Sequence, residues 1–125
     1  MRSKYDLGES LADIIENADR IESYLAGMDR DAFAVNGLVR DAIERCLERV
    51  CEAAHRLGAQ AEGLMPDQPW GDVRGMGNRL RHAYDRLSLD VIWNAVHHDL
   101  PGLATDARRA LAQLQATRQA NEPER

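Results

Sequence analysis

Apolar residues recur every three or four positions along most of this chain, a spacing that places them on one side of an α-helix. The first stretch shows this spacing clearly, at Leu7, Leu11, Ile14, Ala18, Ile21 and Leu25. Aromatic residues, which favour strands, make up only 5% of the chain, and β-branched residues are also few. The sequence therefore predicts an all-α fold, an antiparallel bundle of four to five helices with short connections.

The length of the chain limits it to a single core. With 125 residues it can form one domain but is short for two. We expect this domain to span residues 1–114, followed by a polar tail, 115–125, that frays. No apolar run is long enough for a membrane span and no apolar signal stretch opens the chain, so we expect a cytoplasmic protein with no membrane contact. Cys46 and Cys51 diverge on a helix, and we expect both thiols to be reduced.

Glycines and capping residues divide the first half of the chain into two helices. The first is expected to end near Gly27, and Asp29 is a suitable N-cap for a second that stops around Gly58. At roughly 27 residues and 1.5 Å per residue, the second helix would be about 40 Å long. A helix of that length with a wide apolar stripe often packs against another subunit, so we expect a homodimer.

Prolines and a serine organise the second half. We expect a loop over Gly63–Pro69 and a third helix that begins at Trp70, whose indole should lie in the core. Ser88 is a suitable cap for a short fourth helix. Asp99 and Pro101 indicate the start of a fifth.

Positive charge is concentrated in one short strip. The chain as a whole carries a net charge of −5, which argues against a general nucleic-acid coating protein and gives no reason to expect DNA binding. Between Arg74 and Arg86, however, four arginines and His82 accompany the single acidic residue Asp85. This pattern favours a discrete phosphate site. A solvated helix face is the alternative that charge alone leaves open.

The residues of this strip suit RNA cleavage without a metal ion. On a helix, Asn78 and Arg79 precede His82 by four and three residues and share its face, while Arg74 is eight residues before it. An imidazole can move protons to and from RNA oxygens, and guanidinium groups can stabilise charge on a phosphate. The remaining histidines offer no ligand spacing for a metal, since His55 is isolated in the sequence and the adjacent His97 and His98 point apart on a helix. We therefore expect neither a metal nor another cofactor.

Several stretches of sequence carry a resemblance to a known family. They are Pro69-Trp70, Arg74-Gly75-Met76-Gly77-Asn78, Asn78 through Tyr84, and Leu89-Asp90-Val91-Ile92-Trp93 through Asp99-Leu100-Pro101. With them the chain resembles the HepT-like branch of the HEPN proteins, whose hallmark reads Arg-Asn-x-x-x-His-x-Tyr. Asn78, His82 and Tyr84 match this hallmark, and Gly77 stands at the position of its arginine.

The resemblance implies the ribonuclease toxin of a HepT–MntA toxin–antitoxin pair. In such proteins two copies of the motif face each other across a dimer and form one groove. His82 would be the catalytic proton-transfer group, with Asn78, Arg79 and Arg74 beside it. A nearby pair of arginines would bind the RNA substrate. They are Arg81 and Arg86.

The resemblance also implies a protein partner. The antitoxin is a minimal nucleotidyltransferase that attaches AMP to the tyrosine of the hallmark, here Tyr84. Because Gly77 carries no charge, three interpretations stay open: an active endoribonuclease, an impaired relative that binds and is modified by the nucleotidyltransferase, and a helical dimer whose role is purely interaction.

Overall fold

The chain folds into an all-α bundle, as the sequence predicts. The computed structural model describes the backbone of residues 4–82 and 89–121 and the side chains of 6–80 and 89–121, and no strand occurs in these ranges. The helices are α1 (Lys4–Leu25), α2 (Arg30–Val35), α3 (Gly37–Leu57), α4 (Gln60–Leu64), α5 (Trp70–His82), α6 (Leu89–Asn94) and α7 (Leu100–Ala120), with a π-helical turn at Ala95–Asp99 between α6 and α7.

The contact between α1 and α3 is the most extensive in the bundle. α1 also packs against α7, and α5 packs on α3. The apolar stripe of α1 is buried along its whole length, and Leu11, Ile14 and Ile21 are fully enclosed. The helical spacing seen in the sequence therefore identifies the core face of α1 correctly. α5 lies at the edge of the bundle, against α3.

The predicted long second helix is wrong, because the chain breaks at Asn36. Its backbone leaves the helical region (φ −103°, ψ 86°), and its side-chain oxygen accepts a hydrogen bond from the N–H of Val39 at 3.1 Å. Asn36 thus ends α2 and caps α3, and Gly37 is the first residue of α3. The break removes the 40 Å helix, so helix length no longer supports the expected homodimer.

The segment expected to be a loop is helical at its start. α4 forms one short helical stretch, and the irregular part begins at Met65, whose side chain is buried. The indole N–H of Trp70 donates to the carbonyl of Met65 at 2.9 Å. This bond closes the loop back on the beginning of α5, which starts at Trp70 as predicted.

The expected break before Pro101 is a π-helical turn. The N–H of Leu100 donates to the carbonyl of Ala95, one residue further back than in an α-helix. Proline has no N–H, and its ring would clash with the carbonyl of His97 in a regular helix. The wider turn precedes Pro101, so α6 and α7 are joined by helical backbone, and α7 starts at Leu100 within the expected region. Ser88, the predicted cap of α6, lies outside the described residues.

The last helix extends beyond the expected domain end. α7 is helical through Ala120, so residues 115–120, which we expected to fray, continue it, and the domain boundary at residue 114 stays a prediction. Cys46 and Cys51 are free thiols, both buried. None of the helices within the described ranges has the length and apolar character needed to cross a membrane.

Candidate functional site

The helix that carries the basic strip is anchored at its first residue. Trp70 is 6% exposed and is held by its hydrogen bond to Met65. Further along α5, Val73, Met76 and Leu80 pack against the core. One side of α5 is thereby fixed on the bundle, and Arg74, Asn78 and Arg79 are exposed on its other sides.

Arg74 is held by two neighbours. Its guanidinium lies 5.9 Å from the centre of the Trp70 ring, a cation–π geometry, and it forms an ion pair with Glu62 on α4. The hydrogen bond from Arg74, with a backbone hydrogen bond as a smaller cause, lowers the pKa of Glu62 from its ordinary value. Both side chains are exposed, so the pair contributes little to stability and leaves Arg74 accessible.

A groove runs between α3 and α5 beside the strip. Its narrower part is a cavity of about 200 Å³ lined by Cys51, His55, Val73, Arg74, Gly77 and Asn78. Its wider part, of about 630 Å³, is lined by Arg45, Glu48, Cys51, Glu52, His55, Gly77 and Leu80. We call the two parts together the α3–α5 groove. Gly77 is buried and belongs to both parts, so this groove runs over the position of the hallmark arginine.

His55 is the residue of this groove that sequence reasoning missed. It is exposed in the last turn of α3, 22 positions before Gly77 in the sequence. The interpretation of His55 as isolated holds along the chain but is wrong in space. Only the packing of α3 on α5 brings it to the strip, and no local sequence signal reports such a contact.

The structure separates the predicted site residues into groups. Arg74 and Asn78 lie together in the narrower part of the groove. Arg79 is exposed and is not among the residues that line either part. Asn78 is one helical turn before the backbone of His82 on α5, the spacing expected from the sequence. Gly77, where the hallmark has arginine, has no side chain to offer the groove.

The other predicted site residues are described only in part. For Arg81 and His82 the structure describes the backbone, at the end of α5. Tyr84 and Arg86 lie outside the described residues. Their roles therefore stay predictions.

Metal ligands do not gather in the described part of the chain. No group of three histidine, cysteine, aspartate or glutamate side chains there could hold a metal ion. His97 has a structural contact instead, because its ring stacks on Trp93 with centroids 3.9 Å apart and its Nδ1 is 2.9 Å from the Trp93 carbonyl oxygen. Trp93 also packs against Phe33 at 5.4 Å between ring centres.

Comparison with known proteins identifies the family. The family described as "Ribonuclease HepT-like" matches residues 14–110, a range that includes α3, α5 and the groove between them. The chain belongs to the HepT-like ribonuclease family. The resemblance read from Asn78, His82 and Tyr84 is confirmed at this level.

Relatives support the same assignment. A protein of Methanocaldococcus jannaschii whose name assigns it provisionally as an RNase is 30% identical over 99 residues, 79% of this chain and 91% of the relative. The "Probable ribonuclease HepT" of Thermococcus cleftensis is 30% identical over 93 residues, 74% of this chain and 84% of its own length. No solved structure matches this HepT-like chain at comparable significance.

Proposed function

We propose that this HepT-like protein is a metal-independent endoribonuclease, the toxin of a HEPN–nucleotidyltransferase toxin–antitoxin pair that acts in the cytoplasm. The observation that carries the proposal is the family match across α5, where Asn78 and His82 stand at the hallmark spacing. The ribonuclease names of its relatives support RNA as the substrate.

In the proposed mechanism the imidazole of His82 moves the protons. It takes the proton of the RNA 2′-hydroxyl or protonates the departing 5′-oxygen, and neither step needs a metal ion. Arg79 and Arg74 stabilise the charge that develops on the phosphate, and Asn78 orients the imidazole or the phosphate. The flanking arginines of the strip hold the rest of the RNA. They are Arg81 and Arg86.

A homodimer is part of this proposal. Two copies of the motif facing each other would give one composite groove, as the family resemblance implies. Light scattering at micromolar concentration should return twice the chain mass of 14.0 kDa. A strictly monomeric protein with full cleavage activity would remove the composite groove from the mechanism.

Substitution at Gly77 tests whether the absence of the hallmark arginine limits RNA cleavage by this protein. Loss of one preorganised charge donor typically costs about 10²–10³ in rate. If that loss limits catalysis, Gly77→Arg should raise RNA cleavage and growth inhibition. If Arg74 or Arg79 already stabilises the charge on the phosphate, Gly77→Arg should change the cleavage rate little. Arg74→Ala or Arg79→Ala should then lower the cleavage rate strongly.

The same experiment includes its negative control, His82→Ala, which should be inactive in every background. If wild type, Gly77→Arg and His82→Ala all leave RNA intact and cells growing alike, the nuclease proposal fails.

The second candidate is an impaired relative that acts as partner and AMP acceptor of a minimal nucleotidyltransferase. The uncharged Gly77 and the engagement of Arg74 by Glu62 favour it, because both reduce the positive charge available to RNA. Incubation with a minimal nucleotidyltransferase of such a pair and ATP should then add the mass of AMP to wild type but not to Tyr84→Phe. Equal labelling of both forms would exclude Tyr84 as the acceptor.

A further inference from the structure

A histidine lies beside the position that lacks the hallmark arginine. His55 on α3 and Gly77 on α5 line both parts of the α3–α5 groove. Position 77 contributes backbone but no side chain to the lining of the groove. His55 therefore reaches the same groove as Arg74 and Asn78, from the opposite wall.

We propose that His55 binds a phosphate group of the RNA in the narrower part of this groove, together with Arg74 and Asn78. The proposal rests on the proposed function for the identity of the ligand. An imidazole, a guanidinium and an amide each offer N–H donors to phosphate oxygens. The described residues that line this part include no carboxylate, so an anion would meet donors there and no like charge within the lining.

His55 lies in the last turn of α3 and lines both parts of the groove from that helix. An imidazole N–H at this place is a hydrogen-bond donor for a phosphate oxygen. His55 thus supplies from α3 a donor of the kind that the hallmark would place at position 77.

The two parts of the groove differ in the charged residues that surround His55. On α3, Arg45, Glu48 and Glu52 line the wider part, and on the other wall Arg74 is paired with Glu62. Arg45 pairs with Glu48 at 2.8 Å, so the carboxylate of Glu52 gives the wider part a net negative charge that disfavours a phosphate there. The favoured phosphate position is therefore the narrower part, between His55 and Arg74.

RNA binding by the full chain tests this assignment directly. Fluorescence anisotropy with a short labelled single-stranded RNA compares wild type, His55→Gln and His55→Arg, with His98→Gln as the matched control. His98 is an exposed histidine in the π-helical turn and lines neither part of the groove. We expect His55→Gln to weaken binding about five- to tenfold, because one phosphate contact is lost. His55→Arg should bind like wild type, and His98→Gln should not differ.

A second-site variant separates charge from shape. Gly77→Arg placed in the His55→Gln background should restore binding, because it returns a donor to the same groove from α5. Helical content by circular dichroism checks that each variant is folded. Wild-type affinity in His55→Gln would overturn the proposal, as would a His55→Arg protein that binds as weakly as His55→Gln.

Cleavage assays on the same variants distinguish this inference from the proposed function. Cleavage that needs His82 but is indifferent to His55, with unchanged binding, leaves the nuclease intact and refutes the role of His55. Binding that depends on His55 in a protein that cleaves nothing supports the phosphate contact and refutes the nuclease. A wild type that does not bind RNA refutes both.

Discussion

Trp70 connects the core of the bundle to α5, and its truncation should destabilise both. The indole is the first residue of α5, is 6% exposed, and donates a hydrogen bond to Met65. A buried tryptophan removes about 200 Å² from water, which at about 25 cal/mol per Å² is worth about 5 kcal/mol. A compact denatured state reduces this value to about 3–4 kcal/mol.

We therefore expect Trp70→Ala to lower the free energy of unfolding by about 3–4 kcal/mol, and the melting temperature by roughly 10–20 °C. Trp70→Phe keeps a ring in the cavity but leaves the Met65 carbonyl without the indole donor, so it should cost about 1–2 kcal/mol. Urea unfolding followed by circular dichroism, at one fixed protein concentration, measures all three proteins.

The order of the variants is as informative as the size of the loss. A Trp70→Ala protein within about 1 kcal/mol of wild type would refute the role of the indole as the anchor of α5. If Trp70→Phe were as unstable as Trp70→Ala, the hydrogen bond to Met65, and not the buried surface, would hold the helix start.

Three further predictions concern the helix break, the ion pair and the thiols. Asn36→Ala removes the cap of α3 and should cost about 1 kcal/mol in urea unfolding, whereas Asn36→Asp keeps the acceptor and should cost little. The lowered pKa of Glu62 means that the pair with Arg74 is fully present above the ordinary carboxyl pKa and is lost as pH falls through the lowered one. A carboxyl NMR titration should show Glu62 titrating at higher pH in Arg74→Ala, and an unchanged titration would contradict the pairing. Burial raises the pKa of Cys46, so a thiol reagent at neutral pH should modify Cys51, which lines the groove, before Cys46; the reverse order would contradict the described burial.

The sequence predicted those helices whose position depends on neighbouring residues in the chain. The apolar stripe of α1 is set by helical spacing alone, and the start of α5 at Trp70 follows two prolines within four residues. The break at Asn36 also has a local cause, an Asn-Gly pair. The apolar stripe continues on both sides of this pair, so the sequence was interpreted as one long helix. Pro101 alone does not predict the π-helical turn, because a proline at this position is compatible either with the end of a helix or with a wider helical turn before it.

The candidate site was predictable only where it lies on one helix. Asn78, Arg79 and His82 share α5, so their spacing follows from the sequence. The approach of His55 to Gly77 and the pairing of Arg74 with Glu62 join different helices, and tertiary packing alone decides such contacts. For this reason the sequence does not predict that His55 lies in the same groove as Gly77, the position of the hallmark arginine.

The chemistry of the substrate tests most directly whether His82 cleaves RNA without a metal, as we propose. Purified wild type is incubated in excess chelator with a single-stranded RNA and with the same sequence carrying 2′-deoxy residues, beside His82→Ala. If the imidazole takes the proton of the 2′-hydroxyl, wild type should cleave only the RNA, in chelator, and His82→Ala should cleave neither. Cleavage by His82→Ala, cleavage of the 2′-deoxy substrate, or a wild type that needs added metal would contradict the account.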